Sequence, residues 1–381
     1  MKVLAGLANG WINLYHYQGT DSAMFHREGI IEYHLLLNDP KNYLFNIFNH
    51  NSTTSYAAIF DTSNSFWNNL RSNIIIKMLS IFDIFSRCNY FINTLFYNFL
   101  VFFGCVWLYR IFIQIFPERK NTLIATVFLL PSVLYFTSGI HREGLLSLSL
   151  AFVCYNMFYI LRKEPVSFKR ILYIFLGLSF IFLLRNFVFI TLIPALMAWV
   201  IAEKKQKSIL LTFTTVYIFF TLIFFSLKFI HPKLDLPQYV SERQTAFIQI
   251  GKLGASTVPI KPLYPDVGSF LKNAPQALNH SLMRPYLFEN LTLLYIPPAI
   301  EIVLYEILLV TFLFFRVKNS HADAFVYFGL FFSLSMFLII GYTIPILGAI
   351  VRYRSIYQPF IICPLACLID LKEIQISFKL K

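Results

Sequence analysis

From residue 89 onward, apolar runs of bilayer-crossing length follow one another, separated mostly by short charged breaks. They fall at 89–116, 121–138, 144–161, 171–184, 187–202, 208–230, 291–315, 324–346 and 355–370. A run of that kind reads as a helix, because no water is present in a bilayer to satisfy an open backbone. Residues 1–17 read as the exit end of one more helix, finishing on Tyr15, His16 and Tyr17. Lys2 stands where the membrane interior would begin, so this helix is short or lacks its first turns. The expected fold is all-α: a polytopic transmembrane bundle of about 9–10 spans, forming a single integral membrane domain over 1–381.

Composition supports that class. The chain is 57% hydrophobic and 13% charged, where a soluble domain is nearer a quarter charged. The net charge of +13 would point to nucleic acid in a soluble protein. Here the Lys and Arg are scattered through short loops, so the expected partners are membrane lipids and no nucleic acid. The five cysteines, Cys88, Cys105, Cys154, Cys363 and Cys367, form no CxxC pair and no metal spacing. They read as small buried hydrophobes. No cleavable leader is evident, since an A-x-A-like site is missing.

Two long polar regions interrupt the pattern, 18–88 and 231–290. Within the first, Trp67 to Phe85 spaces apolar residues helically around Arg71, Lys77 and Asp83, which predicts a helix lying on the membrane interface. Basic short loops set the orientation. Those at 117–120, 162–170, 203–207 and 316–322, with the tail after 370, fall on one side when the spans are counted, the cytoplasmic side. The opposite face then collects 18–88, His141-Arg142-Glu143, Arg185-Asn186, 231–290 and Arg352-Tyr353-Arg354. A charge at membrane depth costs roughly 2.5–3.5 kcal/mol on insertion scales, so such residues ordinarily face a cavity or a partner. The convergence of polar islands points to a site on the outer face.

Five places could carry chemistry. Asp21 and Glu28 follow the first helix; a carboxylate there can act as general base on a sugar hydroxyl, or hold a divalent cation, Mg or Mn. Asp21 or Ser22 reads equally as a helix cap, and Glu32 lies one turn beyond Glu28. His141, Arg142 and Glu143 sit in a turn between two apolar runs; Arg142 could bind phosphate with Glu143 orienting it, or the group could be an interfacial ion pair. Arg185 is a lone cation at a corner and could snorkel. Arg284, in Asn279-His280-Ser281-Leu282-Met283-Arg284-Pro285-Tyr286, precedes Glu289 by five residues and could close over a substrate; Tyr286 and Phe288 could instead anchor an interfacial helix. Arg352 and Arg354 begin the last run and could grip a lipid phosphate or pyrophosphate. No P-loop, dinucleotide fingerprint, zinc signature or Ser/His/Asp order is present, and no metal site is assigned.

These stretches resemble polytopic membrane proteins of bacterial surface-polysaccharide assembly, and among named superfamilies the glycosyltransferase C-type enzymes. The resemblance lies in Asp21 soon after the first helix and in the hairpin Pro131, Ser132, Ser138, Gly139, Arg142 and Glu143. It continues in Arg284, Pro285, Tyr286 and Glu289, then Arg352, Tyr353, Arg354 and Pro359. It departs in lacking a second acidic residue beside Asp21. It implies transfer of a sugar from a polyprenyl-phosphate-linked donor to a glycan or lipid-linked acceptor, on the outer face of a bacterial inner membrane. Asp21 would be the base, and arginines would neutralise the departing phosphate. Two other readings stand beside it: a polymerase joining lipid-pyrophosphate-linked repeats, and a lipid-linked oligosaccharide transporter, which would show polar or broken helices at mid-membrane.

Overall fold

The protein is described here by a computed structural model covering residues 1–16, 20–46, 66–162, 166–205, 208–251, 256–289, 294–317 and 323–370. Tyr17, Gly19, Lys163, Lys207, Lys318 and the tail after 370 lie outside those residues.

The first half forms α1 (Lys2–Trp11), prolonged by a π-helical turn at Ile12–His16, then α2 (Asp21–Asn38), α3 (Pro40–Phe45), α4 (Phe66–Ser86) and α5 (Tyr90–Ile115). Next come α6 (Lys120–Phe128), α7 (Pro131–Ser138), α8 (Arg142–Arg162), α9 (Phe168–Leu184) and α10 (Asn186–Lys205). The remainder is α11 (Ile209–Ser226), α12 (Leu236–Gly251), α13 (Val267–Met283), α14 (Ile296–Phe314), α15 (Ala324–Thr343), α16 (Leu347–Arg354) and α17 (Gln358–Cys367). Among the described residues there is no strand beyond two isolated bridges, Thr257 with Ile346 and Arg316 with Ile369.

Helix starts follow local chemistry. Asn89 Oδ1 accepts from the amides of Phe91 and Ile92, Asp266 from Ser269 and Asp323 from Phe325. Each satisfies a first-turn N–H that has no partner in its own helix. For α2 the expected cap is corrected: Thr20 Oγ1, not Asp21 or Ser22, accepts from Ala23 N.

Among the described residues, six helices are long and apolar enough to cross a membrane: α5, α8, α10, α11, α14 and α15. A seventh crossing requires α6 and α7 together, which bend by 48°. The break falls at Leu129 and Leu130, just ahead of Pro131. Proline lacks the N–H that would continue the ladder and pushes its predecessor out of helical geometry. The expected run at 171–184 becomes α9, 17 residues long. The run at 355–370 yields only the 10-residue α17, with Pro359 in its first turn and Pro364 inside. Among the described residues, six or seven crossings have the full length expected of a span, fewer than the 9–10 runs read from the sequence, and α9 lies at the short end of the crossing range.

The chain falls into two compact units. One comprises Met1–Leu108 and Val133–Phe189; the other Tyr109–Ser132 and Ile190–Lys381. In the first, α2 packs along α4 and α8 along α9. The charges that its spacing places along α4 turn inward. Arg71, Lys77 and Asp83 are buried, while Ile81, Ile84 and Phe85 are exposed. The charges point inward because they have partners there. Lys77 Nζ lies 2.6 Å from Glu32 Oε2 and donates to the Tyr43 carbonyl. Asn93 donates to Asp83 at 2.7 Å.

In the second unit, α15 is the central helix, contacting α11, α12, α13, α16 and α17. Trp199 from α10 is fully buried against the rings of Phe325 and Phe328. Gly341 of α15 lies under α13: a Cβ there would come within 1.9 Å of the Ala277 carbonyl oxygen. α11 and α14 keep most of their apolar surface uncovered, as a lipid-facing helix must.

Candidate functional site

The turn that starts α8 is the most elaborately held polar cluster of the first unit. His141 is buried, and its Nε2 lies 3.1 Å from Asn9 Oδ1. Asn9 also donates to the Tyr135 carbonyl, and Asn13 donates back to Asn9. The Tyr97 hydroxyl donates to the His141 carbonyl. Gly139 is glycine by necessity, since a side chain would start 2.0 Å from Asn9 Oδ1.

Glu143, 0% exposed, meets Arg185 Nη2 at 2.6 Å. Two expectations are corrected by this pair. Glu143 pairs with Arg185 where it was expected to orient Arg142, and Arg185 is a buried partner and not a lone snorkelling cation. Burial makes the pairing obligatory, because either charge alone would lose its hydration without compensation.

Arg142 is held differently from its neighbours. Its Nη2 donates to Ser72 Oγ on α4 at 2.9 Å, and its guanidinium lies 5.4 Å from the centre of the Phe25 ring on α2. Phe25 is one helical turn after Asp21, and Glu28 is close to one turn further, so all three share a face. Asp21 is exposed in the first turn of α2. Glu28 is 4.0 Å from Arg27 across the surface, a pair of small energetic weight. At 1.5 Å rise per residue, Asp21 and Glu28 are about 10 Å apart along the helix. They do not fit a single Mg or Mn ion held between them. Among the described residues no group of three His, Cys, Asp or Glu side chains could hold a metal.

The second unit holds the remaining arginines. Arg352 and Arg354 were expected to begin the last span. They instead close the short α16, and the following helix starts at Gln358. Arg354, 1% exposed, donates from Nη1 to the Ser281 carbonyl at 3.1 Å and to the Arg284 carbonyl. This guanidinium fastens the end of α13. Glu301 and Tyr305 of α14 are within its electrostatic reach. Glu301 itself accepts from Ser132 N and Oγ and from the Tyr305 hydroxyl. Arg352 stands more open, its guanidinium 6.0 Å from the Tyr353 ring centre.

Arg284 pairs with Glu289 at 2.7 Å and stacks on Tyr286 at 5.1 Å. Tyr286 belongs to the turn after α13, not to an interfacial helix. Arg284 also lines a cavity of about 580 Å³ with Pro259, Ile260, Lys261, Gln276, Asn279 and His280. Burial, reinforced by the Arg284 charge, pushes His280 down to about 4, so it is neutral at physiological pH.

Sequence reasoning passed over Asn9, Phe25, Ser72, Tyr97, Lys261 and Glu301. Nothing local marks them, since each acts on residues distant in the chain. His280 had a signal, its place one turn before Arg284.

Compared with protein-family models, with curated proteins and with solved structures, the chain has no match in any of the three. The fold defines the class: a multi-pass helical membrane protein with buried ion pairs among its apolar helices.

Proposed function

We propose that this chain is a membrane glycosyltransferase of cell-surface glycan assembly, drawing its sugar from a polyprenyl-phosphate-linked donor. One observation carries the reading: Arg142 packs on Phe25, one helical turn from Asp21. A cation of α8 stacked on the helix that bears a carboxylate supplies the two kinds of group that sugar transfer from a lipid phosphate uses. In the proposed step the bond between the sugar's anomeric carbon and the phosphate oxygen breaks. The acceptor hydroxyl oxygen bonds to that carbon, its proton passes to Asp21, and the lipid phosphate departs. Arg142 stabilises the charge that grows on the leaving phosphate. His141, Glu143 and Arg185 hold the start of α8, and thus Arg142, in register. In this reading the enzyme sits in a bacterial inner membrane with the active face outward, its acceptor a glycan or lipid-linked chain. A C-type glycosyltransferase fold is part of the proposal.

A polymerase of lipid-pyrophosphate-linked repeats is the second reading. It is favoured by the cavity beside Arg284, whose lining includes Lys261 and His280 but no carboxylate. The two differ over Asp21. In a strain complemented with Asp21→Asn, surface glycan falls at least tenfold if the carboxylate is the base. Wild-type glycan with that variant, together with its loss in Arg352→Ala, sinks the transferase and leaves the polymerase.

A further inference from the structure

We propose that the cavity between the 259–261 segment and the end of α13 is a binding site for a phosphate monoester. This is the cavity that favours the polymerase reading, but the inference asks only for phosphate chemistry and does not rest on that reading.

Its lining mixes polar and apolar residues: Pro259, Ile260 and Lys261 from one segment, Pro275, Gln276, Asn279 and His280 from α13, and Arg284 just after it. Hydrogen bonds brace these residues. The Gln276 amide links Lys261 N with the Pro259 carbonyl, and Asn279 donates to the Tyr286 hydroxyl at 2.6 Å. Glu289 occupies Nη1 of Arg284 and so fixes the plane of its guanidinium. Glu289 is not in the lining and leaves Arg284 Nε without a hydrogen bond. His280 is 2% exposed, and its Nδ1 has no hydrogen-bond partner. A buried polar atom in that condition is short of a partner, since leaving it unpaired costs about 1–3 kcal/mol, and a phosphate oxygen can supply one.

Three donors of this kind suit one anion. A guanidinium Nε, a lysine ammonium and a neutral imidazole N–H can each give a hydrogen bond to a phosphate oxygen. Arg284 is already half-neutralised by Glu289, so the excess charge is set by Lys261, which suits a monoanion or a partly protonated dianion. At about 580 Å³ the space holds far more than a phosphate, and lies in the range that accepts a small organic ligand. Pro259, Ile260 and Pro275, the apolar residues of the lining, would take the group esterified to it.

The test uses the full chain in dodecyl maltoside, a detergent without phosphate, titrated calorimetrically with inorganic phosphate and with geranyl phosphate. Saturable binding is expected, at least tenfold weaker in Lys261→Ala and Arg284→Gln and unchanged in Lys272→Ala, an exposed residue of α13 outside the lining. Lys261 is exposed, so its loss leaves folding intact and keeps the test valid even if Arg284→Gln unfolds. Tenfold tighter binding of geranyl phosphate identifies a lipid ester as the natural source; equal binding identifies a small soluble phosphate. Absence of saturable binding of both probes, or binding that Lys261→Ala and Lys272→Ala affect alike, overturns the proposal.

Discussion

Glu143 and Arg185 lie 42 residues apart and form a 2.6 Å ion pair closed off from solvent. It joins the first turn of α8 to the corner between α9 and α10, and it fixes the segment that carries Arg142. Removing either partner strands the other.

Arg185→Leu or Glu143→Leu alone should therefore cost about 3–5 kcal/mol, the usual price of a buried charge without its partner. The double variant should recover most of that loss. Thermal unfolding in detergent reads the difference. Equal destabilisation by the single and double variants would show that the pair is not coupled.

The α13–α15 crossing makes a sharper steric prediction. Gly341→Ala should cost about 1–3 kcal/mol as overpacking, because its new carbon meets backbone and not a side chain that can swing away. Gly348→Ala is the control. Its nearest atom, the Tyr295 hydroxyl, is 3.4 Å away, so the change should be neutral or slightly stabilising. Comparable loss in both would contradict the crossing.

His280 should make the second unit acid-sensitive. Its folded value of about 4 is below the ordinary 6.5. The unfolded chain therefore binds a proton first as pH falls. Stability is full above about 6.5, declines between 6.5 and 4, and levels off below 4. At about 1.4 kcal/mol per unit the loss is at most about 3 kcal/mol, reduced by whatever water enters the cavity. His280→Asn should flatten that part of the pH–stability curve. An unchanged slope would mean that other groups produce it.

Orientation is open to direct labelling. His141 is too buried to report it, but Tyr264 and Phe168 are exposed. With the five native cysteines replaced, and α9 crossing the membrane, Tyr264→Cys should react with an impermeant maleimide from outside the cell. Phe168→Cys, at the start of α9 beside the basic loop, should react only after the membrane is opened. Reaction of both from one side would show that α9 does not cross. The reverse pattern would invert the proposed topology.

Helical architecture and the membrane class were legible directly, because long apolar runs and rare charges leave few alternatives in a bilayer. The caps were partly legible: Asp266 and Asp323 are ordinary choices, whereas Thr20 displaced Asp21 by one residue. Pro131, Pro359 and Pro364 marked where apolar runs would break, a signal that run length alone conceals. Ionisable residues beside apolar segments were visible as oddities, yet their partners were not. Arg185 looked solitary because Glu143 is distant in sequence, and the partners of Lys77 and Asp83 were hidden because Glu32 and Asn93 lie on other helices. Periodicity reports a helix's own faces but says nothing of which face a neighbour covers. Pairing of buried charges depends on distances between helices, and those exist only once the chain has packed.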